Sequence, residues 1–329
     1  MRPKISVIIP AYNAENKIKK TLNAVLSQKY PEKELEVIVV DDGSSDNTIN
    51  IIKKFKKVKL ITKKHGGPAS ARNLGVKKSK GDIILFTDSD CIPKKNWIKR
   101  MIEPFNNKDV VAVAGTYDTL NDDFFMARFV GYEIEMRHQK MKVLDSIDFV
   151  GTYNCAFRKL LFLKYGGFNE LFKEASGEDP ELSFRMIEKG KRIVFQSKSI
   201  VYHKHPESLT KYLKQKYKRA FWKVLLYFYH PKKMFGDTYT PKTLLPQILL
   251  SGLSIILFFI AFFYNFFFFL SLIFLIISLL LNYDFYSYVW KKEKIMVFIS
   301  PLIFFLRNII SVIAIIYGGI YFLLKKFNF

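Results

Sequence analysis

The chain has 329 residues, half of them hydrophobic, with 52 Lys and Arg against 29 Asp and Glu and a net charge of +23. That length holds one domain of about 200 residues plus a further segment. The two cysteines, Cys91 and Cys155, make neither a disulfide framework nor a metal-ligand spacing, which suits a reducing compartment. Much of the charge flanks an apolar C-terminal part, so lipid head groups are the expected anionic partners and nucleic acid is set aside.

Met1-Arg2-Pro3-Lys4-Ile5 lacks the pattern of an export signal, so the N-terminal part is expected to stay in the cytoplasm. Ile5 to Ile9 is a short apolar run ended by Pro10 and predicts a buried strand. Glu15 to Gln28 follows with Ile18, Leu22, Val25 and Leu26 at helical spacing. Val37 to Val40 predicts a second strand, Ser45 caps a helix through about Phe55, and Val58 to Thr62 predicts a third strand. Pro68 fits the first turn of a helix reaching Lys77. Ile83 to Phe86 predicts a fourth strand, Trp97 to Phe105 a helix, and Val110 to Ala114 a fifth strand. Between Asp118 and His205, Gly151 to Arg158, Gly166-Gly167-Phe168 and Gly177-Glu178-Asp179 read as loops; Ile193 to Phe195 and Ile200 to Tyr202 read as strands.

Strands that are continuous apolar runs, alternating with helices, predict an α/β fold with a mostly parallel sheet covered on both faces. Ligands of such sheets bind beyond the carboxyl ends of the strands. Pro10, Ala11, Tyr12 and Asn13 follow the first strand, Asp41 and Asp42 the second, Asp88 and Asp90 the fourth. Carboxylates gathered against their own repulsion usually serve a cation. Asp88-Ser89-Asp90 suits a hard ion such as Mg2+ or Mn2+ shared with diphosphate oxygens. An isolated Asp-x-Asp is more often a helix-capping turn; here it stands at a strand end.

A series of motifs runs in order along about residues 3 to 205. It comprises Val7 to Glu15, Val39 to Thr48 with Asp41-Asp42-Gly43-Ser44-Ser45, Gly67-Pro68-Ala69-Ser70-Ala71-Arg72-Asn73, and Phe86-Thr87-Asp88-Ser89-Asp90. Gly166-Gly167-Phe168, Gly177-Glu178-Asp179 and Val201-Tyr202-His203 follow. This series resembles the family 2 glycosyltransferases, whose fold is the Rossmann-like GT-A domain. The resemblance implies that Pro10, Ala11, Tyr12 and Glu15 line a base and ribose pocket. It implies that Asp42 hydrogen-bonds the base with Asp41 beside it, and that Arg72 approaches the base or diphosphate. Asp88 and Ser89 lie toward the donor, and Asp90, with Asp88, binds the metal. Asp179, paired with Glu178, is the implied base for an attacking hydroxyl in an inverting reaction, although either carboxylate also suits the start of a helix near Pro180. His203 could reach a metal or phosphate, although a lone histidine after a strand is more often structural.

Ser208 to Tyr229 carries Leu209, Tyr212, Leu213, Ala220, Phe221, Val224, Leu225 and Phe228 on one broad face, with Lys211, Lys214, Lys218 and Arg219 on others. It reads as a basic helix lying in a membrane surface. Many membrane members of the resembled family carry Gln-x-x-Arg-Trp here; this chain spaces Gln215, Arg219 and Trp222 four and three apart, which leaves Arg219 as a diphosphate contact and weakens a polymer-gripping role. From Thr243 to Tyr283 there is no charged residue, a run long enough to cross a bilayer twice. The expected organisation is a GT-A domain over 1–205, an interface segment over 206–240 and a transmembrane domain over 241–329. Three spans are expected, 244–264, 266–283 and 295–324, the last apolar except for Arg307 and otherwise readable as a re-entrant hairpin. Lysines at 232, 233, 242, 291, 292 and 294 put those flanks in the cytoplasm.

The function expected is metal-dependent transfer of a sugar from a GDP- or UDP-linked donor to a polyprenyl-type lipid-linked acceptor, by a multi-pass membrane protein with a cytoplasmic catalytic domain. The alternatives are a polyprenyl-phosphate glycosyl synthase, whose ionised acceptor needs no base, a polysaccharide synthase, and a membrane scaffold with a degenerate sugar-nucleotide domain.

Overall fold

The computed structural model describes residues 3–174 and 176–326. They form two compact units. The first comprises residues up to Asn121 together with Lys140–Lys204, and the second Asp122–Gln139 together with His205 onward.

The first unit is a mixed sheet with helices. In chain order it runs β1 (Ile5–Ala11), α1 (Ile18–Leu26), β2 (Leu35–Asp41), α2 (Thr48–Lys53), β3 (Val58–Thr62), α3 (Pro68–Lys78), β4 (Ile83–Thr87), β5 (Ile92–Pro93), α4 (Trp97–Ile102) and β6 (Val110–Thr119). After an excursion, α5 (Phe125–Lys142), come β7 (Asn154–Arg158), α6 (Lys159–Lys164), α7 (Glu178–Glu188) and β8 (Arg192–His203). The eight strands lie in the order β3-β2-β1-β4-β7-β6-β8-β5. β1, β2, β3 and β4 are parallel; β7 runs antiparallel to both β4 and β6, and β8 parallel to β6. The carboxyl ends of β1, β2, β4 and β8 therefore share one edge.

The central strands are apolar throughout because both faces are covered. Val7, Ile8, Ile9, Ile38, Val39, Ile84, Leu85 and Phe86 are all fully buried, each gaining about 1.5–3 kcal/mol from burial. α1 covers one face with Ile18, Leu22 and Val25, spaced four and three. On the β7 side the sheet is pinned by a buried amide. Asn154 accepts from Trp97 Nε1 at 2.7 Å and donates to the carbonyls of Thr116 at 2.6 Å and Ser199 at 2.9 Å.

The five strands expected between Ile5 and Ala114 are present, and the two expected near 193 and 200 are one strand, β8, with a register shift against β6 between Gly115 and Thr116. β7 corrects the reading of Gly151 to Arg158 as a loop, and α5 occupies a stretch to which no element was assigned. β7 is five residues long and opens with Asn and Cys, so neither length nor composition marks it. α5 departs from the expected boundary at 205, since residues 122–139 group with the second unit.

The second unit is helical: the 122–139 part of α5, then α8 (Leu209–Tyr229), α9 (Leu244–Ile260), α10 (Phe266–Leu280), α11 (Tyr283–Trp290) and α12 (Lys294–Lys326). Ser208 caps α8, accepting from the Lys211 N–H at 3.3 Å. Gly318 lets α12 approach α8, because a Cβ there would press on the Phe221 carbonyl at 3.1 Å and on Val224 at 3.2 Å. Among the described residues only Lys294–Leu324 is a single helix long and apolar enough to cross a bilayer. α10 and α11 meet that test together but bend by 52°. α9 has 17 residues, about 26 Å against a hydrocarbon core of about 30 Å. The expected spans 244–264 and 266–283 are thus shorter helices than the sequence run suggested, because turns occupy their junction.

The unit's polarity is inverted. Ser251 and Ser278 meet at 2.7 Å, Ser254 and Ser271 exchange hydrogen bonds at 3.0 and 2.8 Å, and Asn308 donates to Ser251 at 3.0 Å. These polar groups are buried while Leu249, Ile256, Phe259, Phe263, Phe269 and Ile276 face outward. Polar contacts inside and apolar side chains outside are the arrangement of helices packed in lipid.

Replacing Asn154 with Ala removes the acceptor of a buried indole N–H and the donor to two strand carbonyls. The expected loss is about 2–3 kcal/mol, read as a fall of roughly 4–10 °C in the melting temperature of the detergent-solubilised protein.

Candidate active site

The shared strand edge brings the predicted residues into three groups. In the first, Tyr12 follows β1 and is half exposed; its ring lies 4.3 Å from that of His65. Asp42 is buried and accepts from Lys63 Nζ at 2.6 Å, from the Gly66 and Gly67 N–H groups at 3.0 and 2.8 Å, and lies 3.0 Å from His65 Nδ1. Gly67 holds φ at +91°, and a Cβ there would meet the Lys173 carbonyl, so a glycine is required for this loop to wrap Asp42. Asp41 turns inward, accepting from the Gly43 and Ser44 N–H groups at 3.2 and 3.0 Å and from the Ser44 hydroxyl. It shapes the loop and presents no free oxygen outward. Glu15 is committed likewise: it accepts from the Asn47 N–H at 3.0 Å while its own N–H donates to Asp46 at 3.1 Å. Pro10 and Ala11 end β1, where the Ala11 carbonyl accepts the Asp42 N–H at 2.8 Å.

The second group is an ion-pair chain. Arg72 on α3 is 1% exposed. One end of its guanidinium donates to Asp88 at 2.7 Å and the other to Glu178 at 2.8 Å. Asp88 and Glu178 raise its pKa well above the ordinary arginine value despite burial. The sequence expectation placed Arg72 against a ligand; the structure makes it an internal strut. Glu178 is buried too, and accepts from the Ser176 and Gly177 N–H groups at 3.0 and 3.1 Å. Next to it Asp179, partly exposed, accepts from the Thr152 N–H at 3.3 Å. The surrounding protein, and then the neighbouring Glu178, push Asp179 up to about 8. Asn73, one residue on, clasps the Phe168 backbone, donating to its carbonyl at 2.8 Å and accepting its N–H at 3.0 Å. Gly166-Gly167-Phe168 therefore serves as a joint for α3.

The third group is a candidate cation site. Asp90, Cys91 and His203 have ligand atoms within 4.8 Å of one another. Asp90 lies 3.7 Å from His203 Nε2 and 3.4 Å from Lys17 Nζ. Burial and the nearby Asp88 and Asp90 raise the Cys91 thiol, so the Asp90 carboxylate and the His203 imidazole are the better donors for a cation here, a set that would suit Mn2+ better than Mg2+. Asp88 was paired with Asp90 as a metal ligand; one of its oxygens is held by Arg72. His203 was weighed as a metal or phosphate contact against a structural role, and β8 delivers it to Asp90; the pairing of strand ends, invisible in the sequence, is what joins them. Ser89 is fixed by its carbonyl, which accepts from Thr21 at 2.9 Å. Arg219 lies on α8 in the second unit, where its charge acts on Lys216 and Lys223.

Residues 6–166 match the model of glycosyl transferase family 2. This domain belongs to that family. The chain is 32% identical over 221 residues to a probable glycosyltransferase, YdaM, of Bacillus subtilis, covering 63% of this chain and 52% of the relative. It is 40% identical over 121 residues to the glycosyltransferase AglE of Haloferax volcanii, covering 35% of this chain and 40% of that one. It thus spans about half or less of these relatives. Among solved structures it is similar in fold to the mannosyltransferase PcManGT of Pyrobaculum calidifontis, crystallised with GDP-Man and Mn2+, at a TM-score of 0.55, 22% identity, and coverage of 74% of this chain and 67% of that one. The mixed sheet is the GT-A arrangement expected of a family 2 glycosyltransferase.

Asp90→Asn and His203→Ala are each expected to weaken Mn2+ binding, followed by the ion's paramagnetic resonance in the presence of nucleoside diphosphate, by at least about tenfold. Cys91→Ser is expected to leave it unchanged.

Proposed function

We propose that this chain transfers a sugar from a GDP- or UDP-linked donor to a hydroxyl of a polyprenyl-type lipid-linked acceptor, with inversion at the sugar centre and with its catalytic domain on the cytoplasmic side of a membrane. One observation carries the reading: a single guanidinium, Arg72, ties Asp88 on the donor side to the Glu178-Asp179 pair on the acceptor side.

The close, tilted rings of Tyr12 and His65 and the adjacent Asp42 suit a nucleotide base. Asp90 and His203 would hold a divalent cation, whose charge stabilises the departing nucleoside diphosphate. Asp179 takes the proton of the acceptor hydroxyl as its oxygen bonds the sugar's anomeric carbon and the bond from that carbon to the diphosphate breaks. Glu178 and Arg72 are positioning residues. An ionised phosphate acceptor would give Asp179 no proton to remove, and the raised affinity of Asp179 for protons favours the hydroxyl. The lipid phase is supported by the inverted polarity of the second unit and by the length of α12; several crossings require the bent α10–α11 pair or α9 to span as well.

A base must be ionised, and below about 8 the protonated form of Asp179 dominates. Activity (kcat/KM) is therefore expected to rise with pH and to level off above about 8. Asp179→Asn is expected to lower turnover at least about a hundredfold, to abolish that rise, and to leave donor binding unchanged. The test is a pH series with several nucleotide sugars and membrane extract, the lipid product identified by mass. Normal turnover in Asp179→Asn would contradict the assignment.

A further inference from the structure

α8 carries Lys216, Arg219 and Lys223 at spacings of three and four, hence on one helical face. The sequence pattern reads α8 as an interfacial helix with its apolar face toward a membrane and Arg219 as a diphosphate contact. In the second unit Tyr212, Ala220 and Leu226 are the buried residues of α8, and Lys216, Arg219 and Lys223 are half-buried, while Lys211 and Lys214 are exposed. The basic face meets a single buried carboxylate, Glu133 of α5. Lys216 Nζ lies 2.9 Å from Glu133 Oε2, Arg137 3.2 Å from Oε1, and Arg307 of α12 3.7 Å from the same oxygen. Glu133 and Arg307 are 3% and 5% exposed. Beyond them, among the described residues, Lys223 Nζ is hydrogen-bonded to the Thr240 hydroxyl at 3.1 Å and lies over the Tyr227 ring at 5.9 Å, with Asp237 as a more distant charge. Arg137 Nε is buried without an acceptor among the described residues.

Five cations thus surround two carboxylates. Buried charges are ordinarily paired, and an excess of one sign is costly. The surplus is felt locally. Burial, and then the charges of Arg137, Arg219 and Arg307 acting against Glu133, depress Lys216 to about 7; burial with Arg137 and Arg219 depresses Lys223 to about 8. An oxyanion with several acceptor oxygens and about two negative charges satisfies what the chain leaves open. The outer surface of the same unit is apolar, so the anion arrives most readily with a hydrocarbon tail.

We propose that Lys216, Arg219 and Lys223, with Arg137 and Arg307, form a binding site for the phosphate or diphosphate headgroup of a long-chain lipid. The proposal deepens the reading of a lipid-linked acceptor and rests on it for its biological role: the site would grip the phosphate that joins the acceptor's sugar to its tail.

The test uses the full chain in phosphatidylcholine nanodiscs, with farnesyl phosphate, farnesol and inorganic phosphate as probes. Farnesyl phosphate is expected to bind at least about tenfold more tightly than either other probe. Lys223→Gln and Lys223→Met, neither of which unpairs Glu133, are each expected to remove most of that difference while nucleotide binding stays unchanged. Equal binding of farnesyl phosphate and farnesol, or variants that bind farnesyl phosphate as the parent does, would overturn the site. Inorganic phosphate binding as tightly as farnesyl phosphate would overturn the lipid assignment. Because no readout depends on turnover, tight farnesyl phosphate binding without sugar transfer to lipid would uphold the site and refute the acceptor reading. Transfer to lipid with unaltered variants would do the reverse.

Discussion

Three carboxylates, Asp88, Glu178 and Asp179, come together beside a strand edge where desolvation and mutual repulsion oppose them, and Arg72 is what allows it. Its two ends are hydrogen-bonded to Asp88 and Glu178, and it is itself almost wholly buried. Breaking such a buried pair typically costs about 3–5 kcal/mol, because a charge is left uncompensated. The strut also divides labour between neighbours. Glu178 is pinned by Arg72 and two backbone N–H groups. Asp179, one residue on, receives one long backbone hydrogen bond and little other help for its charge. Adjacent positions in the chain are thus held differently: Glu178 is a fixed support, while burial leaves Asp179 with a raised affinity for protons.

Much of the first unit was legible in the sequence. Val58–Thr62 forms the strand its apolar run predicts, Pro68 starts its helix, and each aspartate after a strand lies at the expected edge. These features depend on short-range patterns: apolar runs, caps and turn residues. What escaped depends on pairing. β7 is short and begins with Asn154, whose worth lies in three long-range hydrogen bonds. His203 gains its position only because β8 lies parallel to β6 and ends at the same edge as β4. Arg72 was identified as a site residue, but the direction of its side chain was not, since a buried arginine with two carboxylate partners and one facing a ligand have the same local sequence.

The second unit was legible in composition more than in arrangement. Its apolar runs and the lone Arg307 were apparent, and Ser208–Tyr229 was bounded correctly. The partners that hold Arg307 were not, because Gln247, which accepts from it, and Glu133, 3.7 Å away, lie on helices far earlier in the chain. In α8 the stripe rule holds in part: Tyr212 and Ala220 are buried and Phe221 packs on Tyr317, Tyr321 and Phe322 of α12. What the stripe does not show is that Lys216 reaches in to Glu133, a partner on another helix.

The claim on which the mechanism turns is that Asp179 activates a hydroxyl for a single displacement. The configuration of the transferred sugar tests this directly, because one displacement inverts the anomeric centre and a route through an enzyme-bound sugar or a front-side attack retains it. With a donor of known configuration, the one-bond carbon–proton coupling at the anomeric carbon of the isolated lipid product reports the outcome. The account predicts inversion relative to the donor; a product of retained configuration would contradict it.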